Sequence, residues 1–165
     1  EAQCVYTYNG HTYTVEDAQA HNVPVMDMSK KGFRLPTQAE WEWAAQSGTA
    51  WQKWAGTGNR DKLSYYAWYE TNSSRTHQAG RKKANPFGLF DMSGNVSEWC
   101  WDWWIQTTPE GGTDPVGPSS GTNRTTCGGG YSFFASACCC ASRSCEEPDK
   151  NKDTTGFRIV CRYEF

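Results

Sequence analysis

The sequence predicts an α+β domain with few helices, several short strands and long loops. Three observations carry that reading. Turn-bounded runs of β-forming residues recur along the chain. Only one segment shows both a complete helix start and a helix stop. Sixteen Gly and seven Pro in 165 residues supply the punctuation of a loop-rich body rather than a helical bundle. The length fits a single domain over residues 1–165. Hydrophobic residues make up only 37% of the chain, but nine Trp, eight Tyr and seven Phe bring large apolar area per residue to a core.

The opening VYTYNGHTYTV reads as a hairpin. Val5, Thr7 and Tyr13 belong to alternating β-formers, and Asn9-Gly10 is a strong two-residue turn signal. Thr14, with Asp17 three residues on, opens a short helix over residues 16–20. In LPTQAEWEWAAQSG, Thr37 and Glu40 have the spacing of a capping box. Trp41, Ala44 and Ala45 then recur at helical spacing, and Gly48 ends the run. Trp41 and Trp43 are both expected in the core. Residues 51–69 are aromatic and irregular, and residues 70–85 are polar, ending in a solvated basic loop at Arg81-Lys82-Lys83. In NPFGLFDMSGNVSEWCWDWW, Trp99, Trp101 and Trp103 alternate like a strand with one buried face. Residues 109–124 are loop by composition. Phe157, Ile159 and Cys161 in TGFRIVCRYEF alternate like a closing strand.

A formal charge of −2 and a pI near 5.9 leave no electrostatic footprint for nucleic acid. No apolar run approaches the roughly 18 residues that span a bilayer. Of the eight Cys, Cys138, Cys139, Cys140 and Cys145 crowd together, and adjacent Cys bridge one another only with strain. Paired Cys at zinc-ligand spacing are absent. Cys4, Cys100, Cys127 and Cys161 are spread widely enough to pair in an oxidising compartment, with connectivity open.

The blocks GFRLPTQAEWEWAA, NPFGLFDMSGNVSEWCWDWW, GPSSGTNR through GGGY, and a terminal GFR follow one another over residues 32–158. In this order they resemble the formylglycine-generating-enzyme family. The resemblance implies a C-type-lectin-like fold, with two helices packed around small antiparallel sheets. Enzymes of this family oxidise a substrate Cys with a copper-binding Cys pair. Carried over by position, the first of that pair falls on Phe133 and the second on Cys138. One thiol facing a phenyl ring is not a thiolate pair, so no enzyme activity is expected, and a copper-dependent Cys oxidase is the competing reading. The family also implies a structural calcium, with ligands at the Asp91 side chain, the Gly94 and Val96 carbonyls, and Glu98. No cofactor is otherwise required. Glu147-Pro148-Asp149 is similar to the tripeptide of calcium-dependent lectins, a further alternative, but here it follows the Trp-Asp-Trp strand instead of preceding it.

The stretch 127–145, CGGGYSFFASACCCASRSC, contains no Trp, Lys, Glu, Met or Gln, although these are common elsewhere. Randomising the adenines of an AAC codon cannot produce those five residues. Diversity-generating retroelements mutate adenines in this way, and the segment resembles their variable proteins. The resemblance implies a non-enzymatic protein that binds a protein or cell-surface ligand through a hypervariable face. Tyr131, Ser132, Phe133, Phe134, Ser136, Ala137, Cys139, Cys140, Ser142, Ser144 and Cys145 are the expected contacts. Aromatic residues would supply anchors and serines adaptable hydrogen bonds. Arg143 has two expected roles, pairing with a scaffold carboxylate or meeting the ligand. A surface-displayed lipoprotein is implied, at the cell surface or extracellular, anchored through a segment outside this chain.

Overall fold

The computed structural model describes residues 4–48, 51–107 and 111–161. They form two compact units: the residues up to Leu35 together with those from Ile159 onward, and Pro36–Arg158.

In the first unit, strands β1 (Tyr6–Tyr8) and β2 (His11–Thr12) make the expected hairpin. Its turn residues Asn9 and Gly10 both have positive φ, at 47° and 82°. That geometry matches the twist of the flanking strands. Helix α1 (Val15–Gln19) starts one residue before the expected span, and Thr14 and Asp17 close a capping box. Strand β3 (Val25–Met26) pairs with the other edge of β1. Strand β4 (Phe33–Arg34) pairs with the last strand of the chain, Val160–Cys161.

The second unit holds helix α2 (Gln38–Ala45), capped by the predicted Thr37–Glu40 box. Gly48, with φ +75°, ends it by donating its N–H to Trp43 O at 2.9 Å. Only one of the two helical tryptophans is core. Trp41 is buried, whereas Trp43 is 59% exposed and rests against the Phe87 ring, centroids 5.0 Å apart. Residues two apart on a helix point to nearly opposite sides, so burial of one exposes the other. A 3₁₀ turn at Arg60–Tyr65 punctuates the aromatic stretch. The basic loop is not simply solvated. Lys82 Nζ lies 3.7 Å from the centroid of the Trp68 ring and donates to Ser64 O at 2.5 Å.

A four-stranded sheet combines β5 (Ser97–Trp103), β6 (Arg124–Cys127), β7 (Arg143–Glu146) and β8 (Thr155–Gly156), in the order β7-β6-β5-β8. The β5–β8 pairing is parallel, so the sheets are not purely antiparallel. The alternation in β5 is real, but its buried face is the opposite one: Glu98, Cys100 and Asp102 point inward, and the tryptophans sit half-exposed. Arg124 covers that outer face, its guanidinium 3.6 Å from the Trp103 ring centroid and 4.4 Å from that of Trp101. The closing strand is also corrected. Phe157 and Ile159 are exposed, and the run divides between β8 in this unit and β9 (Val160–Cys161) in the other. Residues 162–165, the end of the expected strand, lie outside the described residues. Helix α2 packs on β5 and β6, burying Trp41, Ala45, Met92, Cys100, Cys127 and Cys140. A second cluster gathers Trp54, Leu63, Ala67, Tyr69, Ala135 and Cys138.

Candidate functional site

The biased segment leaves the sheet at the end of β6 and returns as β7, crossing residues 128–142 in successive turns. Gly129 permits the exit. Its φ is +64°, and a Cβ there would stand 2.7 Å from Ala137 O and 2.9 Å from Cys138 Sγ.

What holds this excursion in place is its backbone. Trp54 Nε1 donates to Ala135 O at 2.6 Å, and Ser93 Oγ donates to Cys138 O at 2.8 Å. The Glu70 amide donates to Phe133 O at 3.2 Å. In the other direction, the Tyr131 amide donates to Asn95 O at 2.8 Å and the Cys140 amide to Lys53 O at 2.9 Å. Every segment atom in these five bonds is main-chain, so none depends on which side chain the segment carries.

The side chains divide into two sets. Ser132, Phe133, Phe134, Ser136 and Ser144 are exposed, Phe134 at 69% and Phe133 at 37%. Tyr131, Ala137, Cys139, Ser142 and Cys145 are half-buried. Tyr131 Oη donates to Asp153 Oδ2 at 3.2 Å. Partial desolvation and then this carboxylate raise the Tyr131 phenol above its usual range. Cys140 is a correction: expected at the binding face, it is 2% exposed and packs in the core with Trp41 and Met92. A turn that follows the surface of a core must send some side chains inward, and here Ala135, Cys138 and Cys140 go in. The one-letter pattern of adjacent cysteines could not say which. Phe133, Ser142 and Ser144 also line a cavity of about 200 Å³. Two further wall residues, Ser97 and Thr126, come from β5 and β6 and escaped sequence reasoning. No local motif joins residues so far apart.

Phe133 lies on the exposed turn, while Cys138 is fully buried with its Sγ 3.9 Å from Gly130 O. Burial pushes the thiols of Cys138 and Cys140 up to about 12. Copper capture by a thiolate pair has no second sulfur at Phe133, so the residues do not fit it. Glu98 has both carboxylate oxygens engaged. Oε2 accepts from Trp41 Nε1 at 2.7 Å and from Arg158 Nε at 2.5 Å, and Oε1 accepts from Arg158 Nη2 at 2.7 Å. A guanidinium thus already supplies positive charge at Glu98, the role a cation would play for this one carboxylate. Asp91 Oδ2 accepts from the Gly80 amide at 2.7 Å, and its Oδ1 is buried without a hydrogen-bond partner. Gly94 and Val96 lie in the turn that feeds β5, with the Gly94 amide donating to Gly128 O at 2.8 Å. Among the described residues, no three His, Cys, Asp or Glu side chains gather as a metal site. Glu147, from the lectin-like tripeptide, forms an exposed ion pair with Lys150 at 3.5 Å.

With this geometry in place, comparison with known proteins is informative. The sulfatase-modifying factor enzyme 1-like domain family matches residues 2–163. The structure is similar to Treponema denticola variable protein 1, with a TM-score of 0.79 and 45% identity, covering 85% of this chain and 51% of that one. The sequence is similar to the formylglycine-generating enzyme of Thermomonospora curvata, 36% identical over 150 residues, covering 78% of this chain and 49% of the enzyme. It is also similar to the chaperone protein LppX of Paenibacillus barcinonensis, 41% identical over 90 residues, covering 44% of this chain and 32% of LppX. This chain therefore spans about half the length of the enzyme and of the variable protein, and about a third of LppX.

Proposed function

The chain belongs to the sulfatase-modifying factor enzyme 1-like domain family, and on that premise we propose that it is a non-enzymatic member whose 127–145 segment carries a hypervariable ligand-binding face generated by a diversity-generating retroelement. The ligand is a protein or another cell-surface molecule, and the site of action is the cell surface or the extracellular space. The observation that carries this reading is the backbone anchoring of the segment. A face that must accept Phe, Ser or Cys at one position without unfolding needs anchors blind to side-chain identity. Trp54, Ser93, Lys53, Asn95 and Glu70 provide them. Phe133, Phe134 and Tyr131 then stand as aromatic anchors among serines, a composition suited to recognition.

Oxidase chemistry is set aside on physical grounds. A lone buried thiol near pKa 12 supplies almost no thiolate at neutral pH. No metal is needed for the proposed role.

The test compares Phe133→Ser/Phe134→Ser with Ser93→Ala. The double variant changes two exposed side chains, so stability should move by no more than about 0.5 kcal/mol per site. Ser93→Ala strips one bond to Cys138 O and another from the Ala55 amide, both buried, and should cost about 1–3 kcal/mol in urea melts. Peptides selected against the wild-type chain from a random display library should lose at least tenfold in affinity for the double variant. Peptides that bind both proteins equally, or conversion of a Cys-containing peptide to an aldehyde, would overturn the proposal.

A further inference from the structure

Charge is distributed unevenly along the chain. Residues 51–85 hold seven Lys or Arg against two Asp or Glu, whereas all other residues hold nine against sixteen. Among the described residues, none of these seven cations forms an ion pair. Five of them converge although they come from two separate stretches, 60–65 and 81–83. The Lys83 amide donates to Tyr65 O at 2.8 Å and Lys82 Nζ to Ser64 O at 2.5 Å, so the basic loop runs along the 3₁₀ turn. Such a turn brings residues three apart into line, which sets Lys62 and Tyr65 on one side while Leu63 enters the core. Lys83 Nζ stands 5.3 Å from the Tyr65 ring centroid, and Tyr65 is 57% exposed. Arg60, Lys62, Arg81 and Lys83 are exposed, and Asp61 is the single acid in the two stretches.

From this convergence we infer that Arg60, Lys62, Arg81, Lys83 and Tyr65 form a contact face for an anionic lipid surface. The inference rests on the cell-surface location proposed above and adds a second surface, separate from the biased segment. Clustered Lys and Arg without counter-ions are drawn to the negative potential of acidic headgroups, each contributing about a fivefold gain in binding. Tyr65 suits the headgroup layer, with an apolar ring and a polar tip. The overall charge of −2 does not oppose this contact. At about 0.1 M salt, charges more than about 10 Å away are largely screened. Leu63 of the turn shares a core cluster with Ala135 and Cys138 of the biased segment. That cluster lies between the two surfaces, so a chain resting on lipid through the basic face keeps Phe133 and Phe134 free for a ligand.

The experiment is flotation of the wild-type chain with vesicles of phosphatidylcholine alone or with about 30% phosphatidylglycerol, in about 0.1 M salt. The expected result is at least tenfold more protein on the anionic vesicles, released when salt is raised to about 1 M. Lys62→Gln/Arg81→Gln/Lys83→Gln should lower that binding at least tenfold. Lys30→Gln/Lys150→Gln/Lys152→Gln, which removes the same charge elsewhere, should lower it less than about twofold. On the wild-type chain, bound anionic vesicles should also protect Lys62 and Lys83, but not Lys150, from an amine-acylating reagent. That footprint decides the matter if the first variant fails to fold. Equal binding to neutral vesicles, equal losses in the two triple variants, or retention by duplex DNA with none on vesicles would overturn the assignment. Peptides selected by display report separately on the biased segment. Loss of vesicle binding with peptide binding intact strikes the basic face alone, and the converse strikes only the ligand-binding reading.

Discussion

At the scale of single residues, the cysteines show how burial overrides composition. Eight Cys in one chain invite thoughts of bridges or metals, yet the fold buries four of them as small apolar side chains. Cys138 and Cys140 face the core, and Cys100 and Cys127 meet there with sulfurs 3.8 Å apart. Cys4 and Cys161 are exposed. With Cys138 and Cys140 raised to about 12, roughly one thiol in ten thousand is ionised at pH 8. Iodoacetamide at that pH should label Cys4 and Cys161 within minutes. Cys100, Cys127, Cys138 and Cys140 should react only when urea unfolds the chain, as peptide mass mapping would show. Rapid labelling of native Cys138 would reopen the case for thiol chemistry at this site.

At the scale of elements, local chemistry was legible wherever a backbone group needed a specific side chain. The Asn9-Gly10 turn and both capping boxes formed where the sequence placed them. Helix α1 carries a pH dependence as a result. The Thr14 amide, donating to Asp17 Oδ2, is the main cause that lowers the Asp17 carboxyl from 3.8 to about 2, with smaller help from His11 and Asn22. A carboxyl depressed in the folded state stabilises it fully above its unfolded value, and that contribution disappears as pH falls through the folded value. Protection of the Ala18 amide, which donates to Thr14 O, should hold at pH 5 and drop between about pH 4 and pH 2. Asp17→Asn should remove this pH dependence in hydrogen exchange. Alternation was a weaker guide. In β5 it marked a strand correctly but not its inner face, since a period of two is blind to which side the core lies on.

At the scale of the whole molecule, one carboxylate ties distant parts of the second unit together. Glu98 on β5 bonds Trp41 on α2 and pairs with Arg158, which follows β8. Its side chain is 7% exposed, so Glu98→Gln leaves a guanidinium short of its counter-ion in a largely dry site. The expected loss is on the order of 3 kcal/mol in urea melts. The loss should be equal in calcium and in chelator, because the partner is Arg158; a loss seen only with calcium present would restore Glu98 as a metal ligand.

The sequence by itself determined the class of the fold, its capped helices, its turns and the existence of a compositionally foreign segment. Each of these depends on neighbours a few residues apart or on a family pattern carried in order along the chain. Only the tertiary structure decided which side chains of that segment face outward. Ala135, Cys138 and Cys140 turn inward because Trp54, Ser93 and Lys53, remote in sequence, grip the backbone beside them. The cavity bordered by Ser97, Thr126 and Ser144 likewise exists only once β5, β6 and β7 lie side by side. Contacts of that range leave no periodic trace in a sequence, because nothing local constrains the residues that make them.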